Sequence, residues 1–484
     1  MNKIDWKFDN TYSRLPKNFV ENIKPNTVKN PELVILNYEL AEELDLTFSN
    51  QNQKDLSQLF SGNLLPSGAN PIAQAYAGHQ FGHFTMLGDG RAVLLGEHLN
   101  KRNIRYDIQF KGSGKTSFSR RGDGRAALGP MLREYVISEA INALNIPTTR
   151  SLAVVKTGEE IVREELLQGA ILTRVASSHI RVGTFQYIAA KQNIKDLQIL
   201  VDYTIDRHYP EIKSSENKIL DLLNLVMDRQ CQLVVNWMRV GFIHGVMNTD
   251  NMAISGETID YGPCAFMDQY DPKTVFSSID QFGRYSFENQ PRITKWNLAR
   301  FAECIVNLID SDEDKAIKIA TETINNFEKI YENKWLNMMR NKLGLFGEDK
   351  NDKKLISDLL DWMKNNKADY TNTFCYLMKT NNNEDQIFED KNFIKWQERW
   401  YKRLKINNTP EEKYFDLMRS INPNVIPRNH KVEEALKAAN ENNFEPFHNL
   451  LKVLRSPYNS NADISEYQKP APFTDEKYQT FCGT

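Results

Sequence analysis

Three oxygen-bearing side chains near the middle of the sequence have the types and spacing of a cation site. Asp250 and Asn251 stand side by side, and Asp260 follows nine residues after Asn251 in an Asp-Tyr-Gly sequence. Carboxylate and amide oxygens are hard ligands, of the kind that hold a Mg²⁺ ion together with the phosphates of a nucleotide. The 244–262 segment therefore predicts phosphate chemistry assisted by a divalent cation.

The same segment resembles the catalytic loop of a protein kinase followed by a hairpin and a DFG-like turn. In the kinase pattern, the Asp that accepts the substrate proton lies two residues after the His and five before the Asn. Counting from His244 or back from Asn251 leads to Val246. Because valine cannot accept a proton, either phosphotransfer has been lost or a different chemistry has replaced it.

Two near-repeats have the composition of phosphate-binding loops: LGDGRA at 87–92 and RGDGRA at 121–126. Glycine lets backbone N–H groups approach phosphate oxygens, and an adjoining Arg can donate two hydrogen bonds to them. Either repeat alone is more typical of a hairpin turn with an exposed arginine. Their recurrence on both sides of a strand that ends at Lys111 favours phosphate contact, and the hairpin interpretation stays open.

Four further charged residues fit a nucleotide site. Lys111 ends the strand-like YDIQFK, and Glu134 lies in the helix-like LREYVISEA. A strand lysine paired with a helix glutamate is the kinase arrangement for holding nucleotide phosphates. Arg174 and Arg181 lie in RVASSHIRVG, and their guanidinium groups suit a polyphosphate. Each is more ordinary as a surface residue when taken alone, but beside the cation motif the set predicts phosphate binding.

Two other motifs do not fit their usual functions. GSGKTS at 112–117 is not a P-loop, because the position five residues before Gly114 is Gln109 instead of glycine. His79 and His83 have the spacing of a helical metal pair, but nearby glycines disfavour a helix and two histidines do not make a zinc site. We expect both histidines to be structural or loop residues.

Hydrophobic periodicity separates a strand-rich first half from a helical second half. The expected strands are 91–97, 105–112 and 151–159, and the expected helices are 31–44, 130–144 and 218–242. The sequence therefore predicts an α+β, protein-kinase-like two-lobed fold with an N-terminal extension and additional C-terminal helices. The expected parts are an extension at 1–70, a β-rich nucleotide-binding lobe at 71–190, a helical catalytic lobe at 191–340, and a helical extension and tail at 341–484.

The composition narrows the class of protein. The 484 residues are 40% apolar and 26% charged with a formal net charge of −2, which disfavours nucleic-acid binding. Five scattered cysteines without a CxxC pair favour a reducing compartment, and the N-terminus lacks the apolar core of a signal peptide. No apolar run approaches the roughly 18 residues of a membrane span. We therefore expect a cytoplasmic protein without a membrane segment.

Five longer motifs resemble selenoprotein O, also called the YdiU family: FDNTYSRLP, AYAGHQFGHFTMLGDGRAVLLGE, DIQFKGSGKTSFSRRGDGRAALGPMLREYVISEA, TRVASSHIRVGTFQY and HGVMNTDNMAISGETIDYGPCAFMD. The resemblance covers nearly the whole chain and is densest from about 70 to 280. It implies a kinase-like fold that binds ATP in a flipped orientation and transfers AMP to hydroxyl side chains of proteins. It also implies Mg²⁺ or Mn²⁺, with UMP transfer from UTP as an alternative reaction.

The resemblance also implies a role for each candidate residue. Asp250 matches the residue that orients the acceptor hydroxyl, and Asn251 and Asp260 match the metal ligands. A flipped nucleotide would explain Val246, because the kinase base is wrongly placed when the α-phosphate is attacked. Glu134 matches the partner of the strand lysine, and nucleotide contacts are implied for Gly88, Gly90, Arg91, Lys111, Asp123, Gly124, Arg174, Arg181 and Asp260.

The C-terminus departs from the family pattern. Cys482 is third from the end, where selenoprotein members carry selenocysteine and some bacterial members pair a cysteine with one in the activation segment. The matching position in DPKTVFSS is Phe276, and the nearest alternative is Cys264. We therefore expect no redox latch of that type.

The leading hypothesis is a protein adenylyltransferase that uses ATP with Mg²⁺ or Mn²⁺, acts on proteins bearing hydroxyl side chains, and works as a monomer. The alternative is a non-catalytic ATP-binding pseudokinase scaffold. The metal ligands Asn251 and Asp260 disfavour the scaffold, which has less need of them. A small-molecule kinase is the third hypothesis, and it needs a base other than Val246.

Overall fold

A computed structural model describes residues 4–379, 386–459, 464–472 and 478–481. In these residues the main antiparallel sheet and one small two-stranded sheet come from the first half of the chain. The second half is mainly helical and contains the other two-stranded sheet. The strands are β1 (Val20–Asn22), β2 (Glu32–Leu36), β3 (Ile72–Gln74), β4 (Ala77–Gln80), β5 (His83–Met86), β6 (Ala92–Leu99), β7 (Arg105–Lys111), β8 (Ala126–Ala127), β9 (Arg150–Val162), β10 (Leu166–Ala176), β11 (Phe242–Ile243) and β12 (Ala265–Phe266).

The α-helices dominate the chain after residue 180. They are α1 (Tyr38–Glu43), α2 (Gln53–Phe60), α3 (Leu128–Ala143), α4 (Val182–Ala190), α5 (Ile194–His208), α6 (Lys218–Val240), α7 (Gln290–Ile305), α8 (Glu313–Asn325), α9 (Phe327–Lys342), α10 (Asp352–Asn366), α11 (Tyr370–Leu377), α12 (Lys391–Leu404), α13 (Glu411–Ile421), α14 (Asn429–Asn440), α15 (Glu445–Leu454) and α16 (Ser465–Gln468). The α+β prediction is confirmed. No helix in the described ranges has the length and apolarity needed to cross a bilayer.

The main sheet has the strand order β1-β3-β6-β7-β10-β9-β2, and β8 also pairs with β10. Alternation along β7 divides its side chains between two faces. Ile108 and Phe110 belong to a core that includes residues of α1 and α2. Gln109 and Lys111 therefore point to the opposite face. The strands expected at 91–97, 105–112 and 151–159 are confirmed as β6, β7 and β9.

Helix α3 covers the face of the sheet that carries Lys111. Leu132 and Val136 of this helix share a core with Val154 and Leu172 of the sheet. The helix expected at 130–144 is confirmed and begins two residues earlier, at Leu128. Because α3 is buried between the sheet and the C-terminal helices, its polar side chains that face the sheet are fixed in place.

Helix α6 leads the chain to the cation motif. The helix expected at 218–242 is confirmed as Lys218–Val240. Gly241 ends it with a φ of 73°, a left-handed conformation that favours glycine and turns the chain into β11. β11 ends at Ile243, directly before the 244–251 loop.

The expectation of one helix over 31–44 is wrong in its first half. Glu32–Leu36 forms a strand that pairs with β9, and only Tyr38–Glu43 is helical. Asn37 separates the two elements because its side chain accepts a hydrogen bond from Leu40 N (3.2 Å) and caps the helix. The apolar run before Asn37 pairs with the sheet in place of a helical turn.

The hairpin interpretation of the two GDGR loops is also wrong. The 87–92 loop joins β5 to β6, and these strands lie in different sheets. The 121–126 loop connects a 3-10 turn at Ser117–Ser119 to β8. Neither loop closes a pair of adjacent strands, so their glycines serve other contacts.

Candidate active site

Lys111 bridges two acidic side chains on the face of the sheet that α3 covers. Its Nζ donates to Glu134 Oε2 and to Asp260 Oδ1, each at 2.6 Å. Lys111 ends β7, Glu134 comes from α3, and Asp260 follows the 244–251 loop, so three separate elements meet at one ammonium group. The structure thus brings together a strand lysine and a helix glutamate, as the sequence predicts.

Arg174 enters the same cluster from the neighbouring strand. It pairs with Gln109 across β10 and β7, so both side chains lie on the face that carries Lys111. Its Nε donates to Glu134 Oε1 at 2.8 Å, and its Nη2 donates to Asp260 Oδ1 at 2.9 Å. Two cations therefore face two carboxylates, of which Glu134 is buried and Asp260 is partly exposed.

The charges around Asp260 decide its ionisation. Burial would raise the pKa of this carboxyl, but the surrounding cations outweigh burial and hold it well below its usual range; in order of effect they include Lys111, Arg174, Arg181 and Arg91. Asp260 also adopts a φ of 68°, which is rare for a residue with a side chain. A carboxylate that is ionised at neutral pH is thereby fixed at the end of the cluster.

Asp250 lies in a 3-10 turn at Thr249–Asn251. Burial raises the pKa of this carboxyl to about 6, although Arg181 opposes the shift. Its Oδ1 is buried and has no hydrogen-bond partner within the described chain. The carboxylate is thus desolvated, mainly ionised at neutral pH, and able to accept a proton.

Asn251 is oriented by the residue at the kinase base position. Its Nδ2 donates to the main-chain carbonyl of Val246 at 3.0 Å. The Oδ1 of Asn251 is buried and accepts no hydrogen bond from the residues described. Val246 therefore fixes the amide through its backbone, and the amide oxygen remains available as a ligand.

Arg181 connects the Asp250 turn to the first glycine loop. Its Nη1 donates to the main-chain oxygen of Asp250 at 3.1 Å, and its Nη2 lies 3.8 Å from Asp89 Oδ1. The guanidinium also stacks over the ring of Tyr76, 4.3 Å from the centroid. Burial raises the pKa of Asp89 to about 6, against the effect of Arg181. Sequence reasoning gave no role to Tyr76 or Asp89.

The first glycine loop packs against the 3-10 turn at Ser117–Ser119. A Cβ at Gly88 would overlap the ring of Phe118, and a Cβ at Gly90 would lie 2.9 Å from the Phe118 carbonyl oxygen. Thr116 Oγ1 also donates to Asp89 O at 2.7 Å. The loop is therefore held close to its neighbour, and Arg91 is near enough to Asp260 to lower the pKa of that residue.

The second glycine loop is placed differently. Asp123 forms an ion pair with Arg163, with N–O distances of 2.9 and 3.1 Å. Gly124 has a φ of 70°, and its carbonyl accepts from Gly114 N at 3.0 Å. Within the described residues, no hydrogen bond or ion pair joins this loop to Lys111. The structure therefore does not bring Asp123 and Gly124 into the cluster.

The donor set at Asn251 and Asp260 fits a divalent cation that binds together with a nucleotide. No group of three or more His, Cys, Asp or Glu side chains in the described part of the chain gathers into a metal site. Mg²⁺ usually keeps several waters and binds through one or two carboxylates and substrate phosphates, so a complete protein cage is not required. The buried amide oxygen of Asn251 and the ionised carboxylate of Asp260 supply hard ligands of this kind.

Comparison with known proteins identifies the family. A family profile described as "Protein adenylyltransferase SelO" matches residues 2–455. The chain belongs to the SelO family. It is 67% identical over 481 residues to the "Protein nucleotidyltransferase YdiU" of Pelagibacter ubique, covering 99% of this chain and 100% of the relative. It is 54% identical to the protein of the same name from Bacillus cereus, covering 100% and 99% of the two chains.

A solved structure gives a much weaker match than these SelO family relatives. It is ROP2 from Toxoplasma gondii, described as a virulence factor with a protein-kinase fold and no enzymatic activity. The TM-score is 0.27 and the identity 8%, with 77% of this chain and 97% of that chain covered. A TM-score this low supports no conclusion about the fold or the activity of the SelO family member.

The β4–β5 hairpin of this SelO family member contributes contacts that sequence reasoning missed. A Cβ at Gly78 would overlap Asp250 Oδ1, so only glycine fits beside the carboxylate. His79 N donates to Thr249 Oγ1 at 2.7 Å, and the His79 ring bonds Gln186 at 2.8 Å. His79 is therefore structural, as expected. In the sequence, only the glycines of AYAGHQFGH indicated that another part of the chain could pack closely against this segment.

The expected absence of a redox latch in this SelO family member stays a prediction, because Cys482 lies outside the described residues. Cys264 is buried, and burial raises the pKa of its thiol to about 12. Phe276 contacts residues near the C-terminus through its ring and its backbone. Its ring centroid lies 5.9 Å from that of Tyr478, and its carbonyl accepts a hydrogen bond from Thr480 N at 2.8 Å.

Proposed function

We propose that this chain transfers AMP from ATP to hydroxyl side chains of proteins and releases pyrophosphate. The observation that carries the proposal is the placement of Asp250, a buried carboxylate beside a cluster of cations, with Val246 where a kinase keeps its base. The family description and the names of the relatives, which denote protein adenylyl- and nucleotidyltransferases, support this reaction class.

In the proposed reaction, the hydroxyl oxygen of the acceptor forms a bond to the α-phosphorus of ATP. The bond from that phosphorus to the bridging oxygen of pyrophosphate breaks, and the hydroxyl proton passes to Asp250. A carboxylate with a pKa of about 6 is ionised at neutral pH and accepts a proton more readily than an exposed Asp. Burial of Asp250 therefore tunes it for the role of base.

The cations of the cluster would bind the phosphates. Lys111, Arg174 and Arg181 would neutralise the charge that develops on pyrophosphate, which is mainly electrostatic catalysis. Glu134 would orient Lys111 toward the nucleotide, and their 2.6 Å bond supports this role. The flipped nucleotide would also contact Gly88, Gly90 and Arg91 of the first loop, and Asp123 and Gly124 if the second loop moves inward.

Asn251 and Asp260 would hold the divalent cation in this proposal. When bound, such a cation supplies Lewis-acid stabilisation of the phosphate oxygens. The ionised state of Asp260 and the fixed orientation of Asn251 prepare both ligands before the nucleotide arrives. The proposal includes Mg²⁺ or Mn²⁺ as the cation and ATP as the donor, with UTP as the alternative.

The remaining parts of the proposal concern the partners and the setting. Proteins with Ser, Thr or Tyr hydroxyls would be the acceptors, and the enzyme would act as a monomer in the cytoplasm. The scattered cysteines support a reducing compartment. The division into parts at residues 70, 190 and 340 also remains a proposal.

Labelled ATP tests the reaction directly. We expect label from the α-phosphate to appear on protein and label from the γ-phosphate to appear in pyrophosphate. Protein labelled only from the γ-phosphate would identify a kinase. ATP binding measured by calorimetry, without AMP transfer or pyrophosphate release, would identify the scaffold.

A further inference from the structure

The β4–β5 hairpin is a separate two-stranded sheet beside the active site. Its turn contains Phe81 and Gly82, with φ values of 50° and 93°. Two central residues with positive φ define a tight two-residue hairpin turn, which fixes the register of the strands. The observed register, with Ala77 opposite Met86, agrees with that turn.

One edge of the hairpin is occupied by the active site. Gly78 of β4 packs on the carboxylate of Asp250, and His79 N donates to Thr249 Oγ1 at 2.7 Å. The carbonyl of Ala77 lies against Gly183 at the start of α4. β4 is therefore covered by the 244–251 loop and by α4, and β5 forms the other edge.

The alternation of hydrogen bonds shows which groups β5 presents outward. Leu87 N donates to Tyr76 O at 2.9 Å, which identifies these residues as a hydrogen-bonded pair. In an antiparallel ladder every second pair is bonded, so the main-chain groups of Phe84 and Met86 point away from β4. Their side chains are 46% and 40% exposed. No strand among the described residues pairs with the outer edge of β5, which is thus available to another chain.

The composition of β5 does not protect this edge. Its sequence, His-Phe-Thr-Met, contains no Lys, Arg, Asp, Glu or Pro. Exposed edge strands in natural proteins usually carry charges, prolines or bulges that prevent pairing with other chains. An open apolar edge without these features is typical of a strand that receives a partner segment.

A second apolar element lies beside the hairpin turn. Ile279 is 55% exposed and Phe282 is 96% exposed. The guanidinium of Arg284 lies 3.9 Å from a Cβ built at Gly82, and the ring of Phe81 lies 5.1 Å from that of Tyr285. The 279–282 segment therefore directly precedes residues that contact the hairpin turn, and its two apolar side chains are exposed.

We infer that the outer edge of β5, together with Ile279 and Phe282, docks an extended apolar segment of the acceptor protein. The segment pairs with β5 as a third strand, and a flanking hydroxyl residue enters the cleft at Asp250. The inference rests on the proposed function, which requires a protein hydroxyl at that carboxylate.

The position of the hairpin explains why the acceptor is the occupant. Gly78 touches Asp250, and β5 lies one strand spacing, about 4.8 Å, from Gly78. A third strand on β5 lies one further spacing out, about 10 Å from Gly78, so roughly three extended flanking residues bring a hydroxyl to the carboxylate that must receive its proton. Main-chain bonds would bind acceptors of differing sequence, and the exposed side chains of Phe84 and Phe282 would select apolar ones.

Two synthetic peptides test the docking site. Both carry one Ser, one Thr and one Tyr; one has a flanking Val-Ile-Val-Ile segment, and the other has Gly-Asn-Gly-Asn in its place. We expect the wild-type protein to transfer AMP to the apolar peptide at least about tenfold faster, the size of effect expected of an anchoring contact. Equal labelling of the two peptides would overturn the inference.

Variants of the apolar surface give the matched comparison. We expect Phe84→Ser combined with Phe282→Ser to lower labelling of the apolar peptide to the level of the other peptide. The control combines Ile317→Ser and Ile394→Ser, which remove exposed apolar side chains from α8 and α12. ATP binding by calorimetry should be equal in all three proteins. An unchanged preference in the Phe84 and Phe282 variant would overturn the inference.

A proline substitution tests strand pairing separately from side-chain contact. Met86→Pro removes an outward N–H and leaves the bond from Leu87 N to Tyr76 O in place. We expect it to reduce labelling of the apolar peptide about tenfold more than Met86→Ala does. Equal effects of the two substitutions would rule out the third strand.

Two other outcomes separate this inference from the proposed function. Pyrophosphate release without label on either peptide would overturn the docking site alone, whereas no pyrophosphate release and no label would overturn the proposed function with it. A wild-type dimer in sedimentation that becomes a monomer in the Phe84 and Phe282 variant would assign the surface to a second copy of this chain and overturn the inference.

Discussion

The two oxygens of Asp260 have different surroundings. Lys111 Nζ and Arg174 Nη2 both donate to Oδ1, at 2.6 and 2.9 Å. Because both bonds use Oδ1, Oδ2 remains available to a cation. The carboxylate would thus connect the phosphate-binding cations to the metal site, and its negative charge is essential to both contacts.

We expect Asp260→Asn to reduce AMP transfer by roughly a hundredfold or more, because a metal ligand contributes several kcal/mol to the transition state. The amide keeps the size of the side chain, and the Lys111–Glu134 pair remains, so the protein should still fold. Transfer of α-label to protein measures the effect. The control is Asp358→Asn, the same change at a surface carboxylate paired with Lys354. A normal rate in Asp260→Asn would contradict the assigned metal site.

Gly78 has a contact that no other residue type could make. A Cβ at this position would overlap Asp250 Oδ1 and must displace the carboxylate. We therefore expect Gly78→Ala to lower AMP transfer about a hundredfold, since a displacement near 1 Å at a reacting group has this effect. ATP binding, measured by calorimetry, should change little.

The matched control for Gly78→Ala is Gly129→Ala in α3. A Cβ at Gly129 would meet only the side chain of Asn440, at 3.6 Å, which is an ordinary contact. We expect this variant to keep wild-type transfer rates. Equal rates in Gly78→Ala and Gly129→Ala would show that the hairpin does not position Asp250.

The sequence predicted the charged members of the site better than its neutral members. Lys111, Glu134 and Asp260 follow patterns of residue type and spacing, and the structure brings them together. The contact between Gly78 and Asp250 joins residues far apart in the sequence, and a glycine gives no sign of its partner. Long-range fit of this kind needs the folded coordinates.

At the scale of elements, one amide joins three segments around the proposed active site. Asn248 Oδ1 accepts from Phe81 N at 3.0 Å and from the Tyr285 hydroxyl at 2.6 Å. The β4–β5 turn, the 244–251 loop and the segment that ends at Tyr285 therefore share a single acceptor. Motion of one segment would release a hydrogen bond to the others.

We expect Tyr285→Phe to lower the free energy of unfolding by about 1 kcal/mol, the usual net value of one hydrogen bond. Hydrogen exchange at the Phe81 amide should become faster, because the Asn248 side chain loses one of its two donors. The control is Tyr38→Phe, at a ring that is 54% exposed. Unchanged exchange at Phe81 would show that the three segments are not coupled through this amide.

The elements that the sequence predicted well are those with a long, regular pattern. β7 alternates between two faces and α6 keeps an apolar stripe over six turns, so each was identifiable from its own residues. The 31–44 segment was mistaken for one helix because its apolar run suits either structure. Only pairing with β9 decides that Glu32–Leu36 is a strand.

At the scale of the whole molecule, the C-terminal helices pack against the helix that carries Glu134 of the proposed nucleotide site. Arg133 of α3 donates to the Tyr478 hydroxyl at 2.7 Å, and the ring of Tyr135 lies 6.2 Å from that of Phe447 in α15. The helix that carries Glu134 is thus held between the sheet and residues more than 300 positions later in the chain. Periodicity cannot reveal this packing, because it reports which face of a helix is apolar without naming the partner.

Arg207 fastens a helix to the sheet in a similar way. It extends from α5, and its Nη1 and Nη2 donate at 2.6 Å to Glu97 of β6 and to Asp107 of β7, respectively. Burial would raise the pKa of Asp107, but Arg207 and a hydrogen bond from His179 outweigh it and hold the pKa at about 2. Both carboxylates are buried, so the cluster depends on the guanidinium charge.

We expect Arg207→Met to destabilise the fold by about 3–5 kcal/mol at pH 7, because it leaves Asp107 buried without its arginine and Glu97 with only the more distant Arg105, at 3.4 Å. Denaturant unfolding measures the change. The control is Lys354→Met, which breaks the exposed pair with Asp358 and should cost about 0–1 kcal/mol. A loss in Arg207→Met no larger than in the control would contradict the structural role of this cluster.

The pH dependence separates the charge of Arg207 from its packing. In the wild type, the lowered pKa of Asp107 means that its contribution is full above about pH 4 and is lost as the pH falls toward 2. Without Arg207, burial should raise the pKa of Asp107 above 3.8. Protonation would therefore remove the cost of burying this carboxylate at a higher pH in the variant than in the wild type. The difference in unfolding free energy between the two proteins should therefore narrow as the pH falls from 7 to 3. A constant difference over this range would mean that Arg207 stabilises the fold through its apolar stem alone.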